Sequence, residues 1–141
     1  MKRICVVDGQ GGGIGSAVIK KLKEYFEETT DIIALGTNAI ATAQMLKARA
    51  NRGASGENAI VRTVRNADVI IGPIGIVMAH AMMGEVTPRI AEAVADSPAR
   101  KLLIPLSQEN VDVVGITPMP LPHLIDALIQ NNLNRFFNRM N

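Results

Sequence analysis

Apolar residues along this chain keep two rhythms that alternate. Ile4-Cys5-Val6-Val7, Ile32-Ile33-Ala34-Leu35, Asp68-Val69-Ile70-Ile71 and Lys101-Leu102-Leu103-Ile104 are short apolar runs, mostly rich in β-branched residues. Each reads as a strand buried on both faces. Between them the spacing changes to that of a helix. Ile14, Val18, Leu22 and Phe26 recur every four residues, with Lys20, Lys21, Lys23, Glu24 and Glu27 mostly on the other side. Further helices are predicted over residues 39–50, over 57–66 with Ile60, Val61 and Val64 as the apolar face, and from Thr87-Pro88 to about Asp96. A last helix is predicted over 123–138. Residues 111–116 read as a fifth strand and residues 52–56 as a loop. Continuous apolar strands alternating with helices predict an α/β chain, doubly wound around a mostly parallel five-stranded Rossmann-like sheet, with residues 1–141 forming a single nucleotide-binding domain.

One apolar stretch breaks the pattern. Residues 74–83 hold Ile74, Ile76, Val77, Met78, Met82 and Met83 with no charge at all, and Gly84 ends the run. A helix there would have an apolar outer face carrying only His80. Such a face predicts a homodimer built around this segment, since exposed apolar patches mark interfaces and methionine tolerates an imperfect fit. Cover by the last helix or its Pro-rich connector within one chain is the alternative.

The candidate chemistry lies between the first strand and the first helix. Asp8-Gly9-Gln10-Gly11-Gly12-Gly13-Ile14-Gly15 has glycine at five of eight positions. A strand, a glycine turn and a helix N-terminus form an anion site, because the backbone approaches closely and free N–H groups face the ligand. The spacing fails G-x-G-x-x-G but fits G-x-x-x-G-x-G through Gly9, Gly13 and Gly15. That arrangement resembles the cofactor loop of short-chain dehydrogenases. No Gly-Lys-Ser/Thr follows, which excludes a Walker loop. NAD(P) or another nucleotide is the cofactor expected.

Ligands of such sheets lie beyond the carboxyl ends of the strands. Those ends offer Asp8 and the glycine loop, then Gly36, Thr37 and Asn38, then Gly72, Pro73, Ile74 and Gly75, then Ser107, Gln108, Glu109 and Asn110. The acid usual at the end of the second strand, which holds the adenosine ribose, is missing. Thr37-Asn38 stands in its place, so either the ligand is a mononucleotide or other phosphorylated metabolite, or its ribose is held by Asn38 alone. Asp8 either hydrogen-bonds the glycine turn or serves the ligand, and Glu85 is the other acid near the crevice. The Tyr-x-x-x-Lys pair of short-chain dehydrogenases is absent: Tyr25 is followed four residues later by Thr29 and is expected on the buried side of its helix. His80 reads as a packed core or interface side chain, and His123 as exposed. No His, Cys or acid spacing suits a metal.

Composition narrows the classes. At 141 residues with net charge +2, three Phe, one Tyr and no Trp, the chain lacks the basic, aromatic surface of a nucleic-acid binder. The lone cysteine, Cys5, falls inside a strand and offers no disulfide framework. No apolar run reaches the roughly 20 residues of a membrane span, and no signal peptide is visible, so a cytoplasmic setting is expected.

Four segments together resemble one family. They are Val7-Asp8-Gly9-Gln10-Gly11-Gly12-Gly13-Ile14-Gly15, Ala34-Leu35-Gly36-Thr37-Asn38, Gly53-Ala54-Ser55-Gly56-Glu57-Asn58-Ala59 and Ile71-Gly72-Pro73-Ile74-Gly75-Ile76. They look like the motifs of DUF3842, a small bacterial family of unknown function, over about residues 3–116. The resemblance implies a bacterial cytoplasmic protein with a Rossmann-like fold and supplies no catalytic residue. It adds Ser55, Glu57 and Asn58 as a candidate wall of the site.

Overall fold

A computed structural model describes residues 1–106 and 109–140. The first strand, β1 (Lys2–Asp8), sits mid-sheet, so both of its faces are covered and its apolar run is continuous. Ile4 and Val6 face one layer, Cys5 and Val7 the other, and all four are fully buried. The remaining strands are β2 (Thr30–Gly36), β3 (Arg52–Ser55), β4 (Val69–Pro73) and β5 (Arg100–Ile104). All pair in parallel, in the order β3-β2-β1-β4-β5.

The helices are α1 (Gly13–Phe26), α2 (Ala39–Lys47), α3 (Glu57–Thr63), α4 (Pro88–Asp96), α5 (Leu121–Ala127) and α6 (Asn134–Met140). A π-helical turn, Leu128–Leu133, joins the last two. One layer packs α1, α2 and the C-terminal helices on Ile4, Val6, Ile32 and Ile71. The other packs α3 and α4 on Cys5, Val7, Ile33 and Ile70. Side-chain caps form at the starts of α2 and α4, whereas Ser55, a cap expected for α3 from the sequence, does not cap it: Gly56 holds the cap position with no side-chain bond. Asn38 Oδ1 accepts the Ala41 N–H at 2.8 Å, and Thr87 Oγ1 accepts the Ile90 N–H at 3.2 Å ahead of Pro88.

Two elements differ from the sequence reading. The fifth strand is β3, not residues 111–116. β3 is an edge strand of Arg-Gly-Ala-Ser with all four residues exposed, so no apolar pattern could announce it. Its ladder with β2, which sets Gly36 opposite Ser55, is what makes it a strand. Residues 111–116 are exposed and turn at Val114-Gly115, where Gly115 has φ +87°. Their β-branched side chains favour a strand only where a neighbour exists to pair with.

The apolar segment after β4 is not a helix. A single 3-10 turn, Ile74–Val77, leads into a tight loop in which His80, Met82 and Met83 all have positive φ. The loop closes on itself through His80 N–H to Val86 O at 2.6 Å and Val86 N–H to Ala81 O at 3.1 Å. Ile76 and Ala81 are buried within it. Among the described residues no helix is long and apolar enough to cross a membrane.

Candidate functional site

β1 is flanked by β2 on one side and β4 on the other, so the chain's winding reverses between β1 and β4. The carboxyl ends of the two strands part there and leave a crevice. A cavity of about 280 Å³ lies in it. Asp8, Gly9, Gln10 and Ile14 line it from the β1 end, and Pro73 and Gly75 from the β4 end. Met82, Met83, Leu106 and Glu109 complete the wall. A larger groove of about 840 Å³ runs along β5 and the C-terminal helices, away from the glycine loop.

Asp8 does much of the loop's internal work. Its Oδ1 accepts the Gly9 N–H at 2.8 Å and its Oδ2 the Gly15 N–H at 2.7 Å, with the Ile14 N–H also bound to the carboxylate. Two of the first free amides of α1 are thereby satisfied by the chain's own acid. Burial pushes the Asp8 carboxyl above its usual range, against the pull of the Gly15, Gly9 and Ile14 amides, and the Glu85 charge adds to the rise.

The glycines of the loop divide into two groups. Gly12 has φ +72°, and a Cβ there would come within 2.8 Å of the Ala41 carbonyl oxygen. At Gly15 a Cβ would stand 2.5 Å from Met45 Sδ and 3.0 Å from Asp8 Cβ, so this glycine lets α1 press on α2 and β1. At Gly9 the space is filled by Thr37, Met82 and Glu85 side chains. Gly11 and Gly13 are unlike these. A Cβ on either meets nothing within 4 Å, neither has positive φ, and neither N–H donates within the described residues. The fold itself does not require glycine at those two positions.

Glu85 links three strand ends. It leaves the loop after β4, and its Oε1 accepts from Gln10 N–H at 2.8 Å, Thr37 Oγ1 at 2.6 Å and Asn38 Nδ2 at 2.8 Å. Burial raises its carboxyl, but the hydrogen bonds from Thr37, Gln10 and Asn38 outweigh that and hold it below the usual glutamate range. Gln10 sits at φ +49°, a strained conformation for a non-glycine, held by Glu85 at its N–H and by Asn38 Nδ2 at its carbonyl, 3.0 Å away.

The residues singled out from the sequence therefore fall in different places. Asp8, Gly9, Gln10, Ile14, Pro73 and Gly75 meet around the cavity, with Gly11 and Gly13 on the loop's open side. Thr37 and Asn38 adjoin the loop, but their polar groups are engaged with Glu85, Gln10 and the cap of α2. Gly36 and Gly72 are packing positions: a Cβ would lie 2.2 Å from Thr42 Oγ1 or 2.3 Å from the Val7 carbonyl oxygen. Ile74 lines a neighbouring void with Leu106 and Val111.

Ser55, Glu57 and Asn58 are not brought into the cavity. Ser55 donates to Thr42 Oγ1 at 2.8 Å, Glu57 accepts from Thr87 Oγ1 at 2.6 Å, and Asn58 is exposed. Ser107 and Gln108 lie outside the described residues. Tyr25 is 44% exposed rather than on the buried side of α1, and its hydroxyl accepts from Gln130 Nε2 at 2.6 Å. His80, at φ +73°, is exposed in this chain and is not a core side chain; His123 is exposed too. Glu85 was marked from the sequence only as an acid near the crevice. Its contact with the glycine loop crosses 75 residues, which no local spacing encodes.

Cys5 is fully buried, and burial pushes its thiol up to about 12, so it is not a thiolate nucleophile near neutrality. Among the described residues no three His, Cys, Asp or Glu side chains are grouped to hold a metal ion. Among the described residues the cavity's titratable lining consists of the carboxylates Asp8 and Glu109, with no cation.

The family model of DUF3842, a domain of unknown function, matches residues 3–137. The chain belongs to the DUF3842 family. No curated protein matches it. Among solved structures, this DUF3842 chain is similar to a dodecameric FMN-dependent Ubix-like decarboxylase from Escherichia coli O157:H7. The likeness has a TM-score of 0.50 and 16% identity, and covers 96% of this chain and 94% of that one. At that identity the likeness concerns the fold: a parallel α/β sheet of Rossmann-like type.

Proposed function

We propose that this DUF3842 protein binds a nucleotide or dinucleotide, with phosphate seated over Gly11 and Gly13 at the carboxyl end of β1, beside the crevice between β1 and β4. The observation that carries this is the pair of open glycines. Glycine loses more backbone entropy on folding than other residues, and neither position offsets that through packing or positive φ. Open Cβ sites and undonated N–H groups at the start of a 14-residue helix are what an approaching phosphate uses. The structural relative is itself FMN-dependent, which supports a nucleotide-like ligand on this sheet. NAD(P) and FMN are the first candidates.

A second function is favoured by two observations. Asp8 already occupies the Ile14 and Gly15 amides, and among the described residues no cation lines the cavity, as a ligand-free scaffold acting through protein contacts would allow. A thermal-shift screen of FMN, NAD, NADP, ADP and GTP separates the two. A ligand at a hundred times its Kd stabilises the fold by about 2.7 kcal/mol, a shift of several degrees. Binding is expected in wild type and lost in Gly13→Val, which folds because the added side chain enters open space. No shift with any of these compounds would favour the scaffold.

Homo-oligomerisation is part of the same proposal. The relative is dodecameric, and Met83, in the segment expected to form the interface, is 94% exposed.

A further inference from the structure

Nucleotide sites of this fold place a carboxylate at the end of the second strand, where it accepts hydrogen bonds from the ribose of a nucleotide whose phosphates lie on the glycine loop. Residue by residue, β2 of this chain has no such acid: it ends in Gly36 and continues into Thr37 and Asn38. The structure nevertheless puts a carboxylate there. Glu85 reaches from the loop after β4, and its Oε1 accepts from both Thr37 Oγ1 and Asn38 Nδ2 as well as from the Gln10 amide. The same oxygen lies 3.0 Å from where a Gly9 Cβ would be, so the acid touches the first glycine of the loop.

We infer that Glu85 is the ribose-binding carboxylate of the site and that the ligand carries a free ribose 2′,3′-diol, an assignment that rests on the nucleotide reading above. Three details agree. All three hydrogen bonds go to Oε1, which leaves Oε2 as an acceptor without a partner among the described residues. Glu85 is held in its ionised form, the form that accepts from hydroxyls and repels a 2′-phosphate. Asn38, whose Oδ1 caps α2 and whose Nδ2 is shared between Glu85 and the Gln10 carbonyl, has no group left for ribose and instead positions the acid. The strained loop around Met82 and Met83 gains a purpose, since it carries Glu85 to the glycine loop and the end of β2.

The test compares ADP, 2′-deoxy-ADP and adenosine 2′,5′-bisphosphate by isothermal titration with wild type, Glu85→Gln and Gly13→Val. Wild type is expected to prefer ADP to either analogue by roughly tenfold, the value of a hydrogen bond to a charged acceptor. Glu85→Gln keeps an amide oxygen for the Gln10, Thr37 and Asn38 donors, so folding is retained. In that variant the ADP to 2′-deoxy-ADP ratio is expected to fall toward one, with 2′-deoxy-ADP bound as before. Equal binding of ADP and 2′-deoxy-ADP by wild type overturns the assignment while leaving the phosphate seat intact. A Glu85→Gln protein that weakens both ligands equally overturns it as well, since that marks a purely structural role. Binding of all three ligands that survives Gly13→Val removes the glycine-loop reading instead. Absence of any ADP binding, with FMN bound in the screen, overturns the ribose assignment alone.

Discussion

Asp8 and Glu85 are two carboxylates at one loop with opposite responses to their surroundings. Glu85 is held below its ordinary value of 4.5 by donated hydrogen bonds, so the folded state favours its charged form. Its contribution to stability is present above that pH and is lost as the pH falls through and below it. Asp8 is raised above 3.8, chiefly by burial, so the fold favours its neutral form and Asp8 weakens the fold as the pH rises above that value. Thermal melts of wild type and Glu85→Gln across pH 3 to 8 separate the two. The stability gap between these proteins is expected to be widest near neutrality and to close in acid, because only wild-type Glu85 loses its charge. A gap that does not change with pH would show that Glu85 serves only as a neutral acceptor.

At the scale of elements, the glycine loop is a turn with two kinds of glycine, and substitution should sort them. Gly12→Ala forces a left-handed alanine against the Ala41 carbonyl and is expected to cost about 1–3 kcal/mol in urea unfolding. Gly11→Ala enters open space at ordinary φ and is expected to stay within about 0.5 kcal/mol of wild type. Equal losses at both positions would mean that Gly11, too, is a packing residue. The strands and the first helix were legible in the sequence because their burial repeats locally. β3 was not, because an exposed edge strand is defined by backbone pairing alone. Residues 111–116 misled for the converse reason: Val111, Val113, Val114 and Ile116 have the chemistry of a strand and no partner.

For the whole molecule, Met83 and the Val111, Val113, Val114, Ile116 and Met119 side chains are exposed in the segments that follow β4 and β5. Met83 is 94% and Val114 is 96% exposed, and Leu106 lines the voids beside both segments. Exposed apolar surface of this kind is the ground for the homo-oligomer proposed above. Sedimentation velocity is expected to show wild type as a homo-oligomer and Met83→Glu as a smaller species with an unchanged circular dichroism spectrum. A monomeric wild type ends this proposal. A Met83→Glu protein of unaltered mass moves the contact to another surface, with Val114→Asp the next variant to sediment.

What the sequence by itself determined is what repeats within a few residues or is written in one short motif. The parallel α/β architecture follows from apolar runs alternating with four-residue periodicity, the start of α1 from a glycine loop, and the starts of α2 and α4 from Asn38 and Thr87-Pro88. The tertiary structure decided everything that depends on which ends meet. It closed the apolar stretch after β4 into a turn rather than a helix, since hydrogen bonds between His80, Ala81 and Val86 compete with helical ones. It turned the Ile14 and Gly15 amides onto Asp8, divided the glycines into packed and open, and carried Glu85 to the end of β2. Glu85 comes to the end of β2 from a loop 48 residues away, and only the folded chain brings the two together.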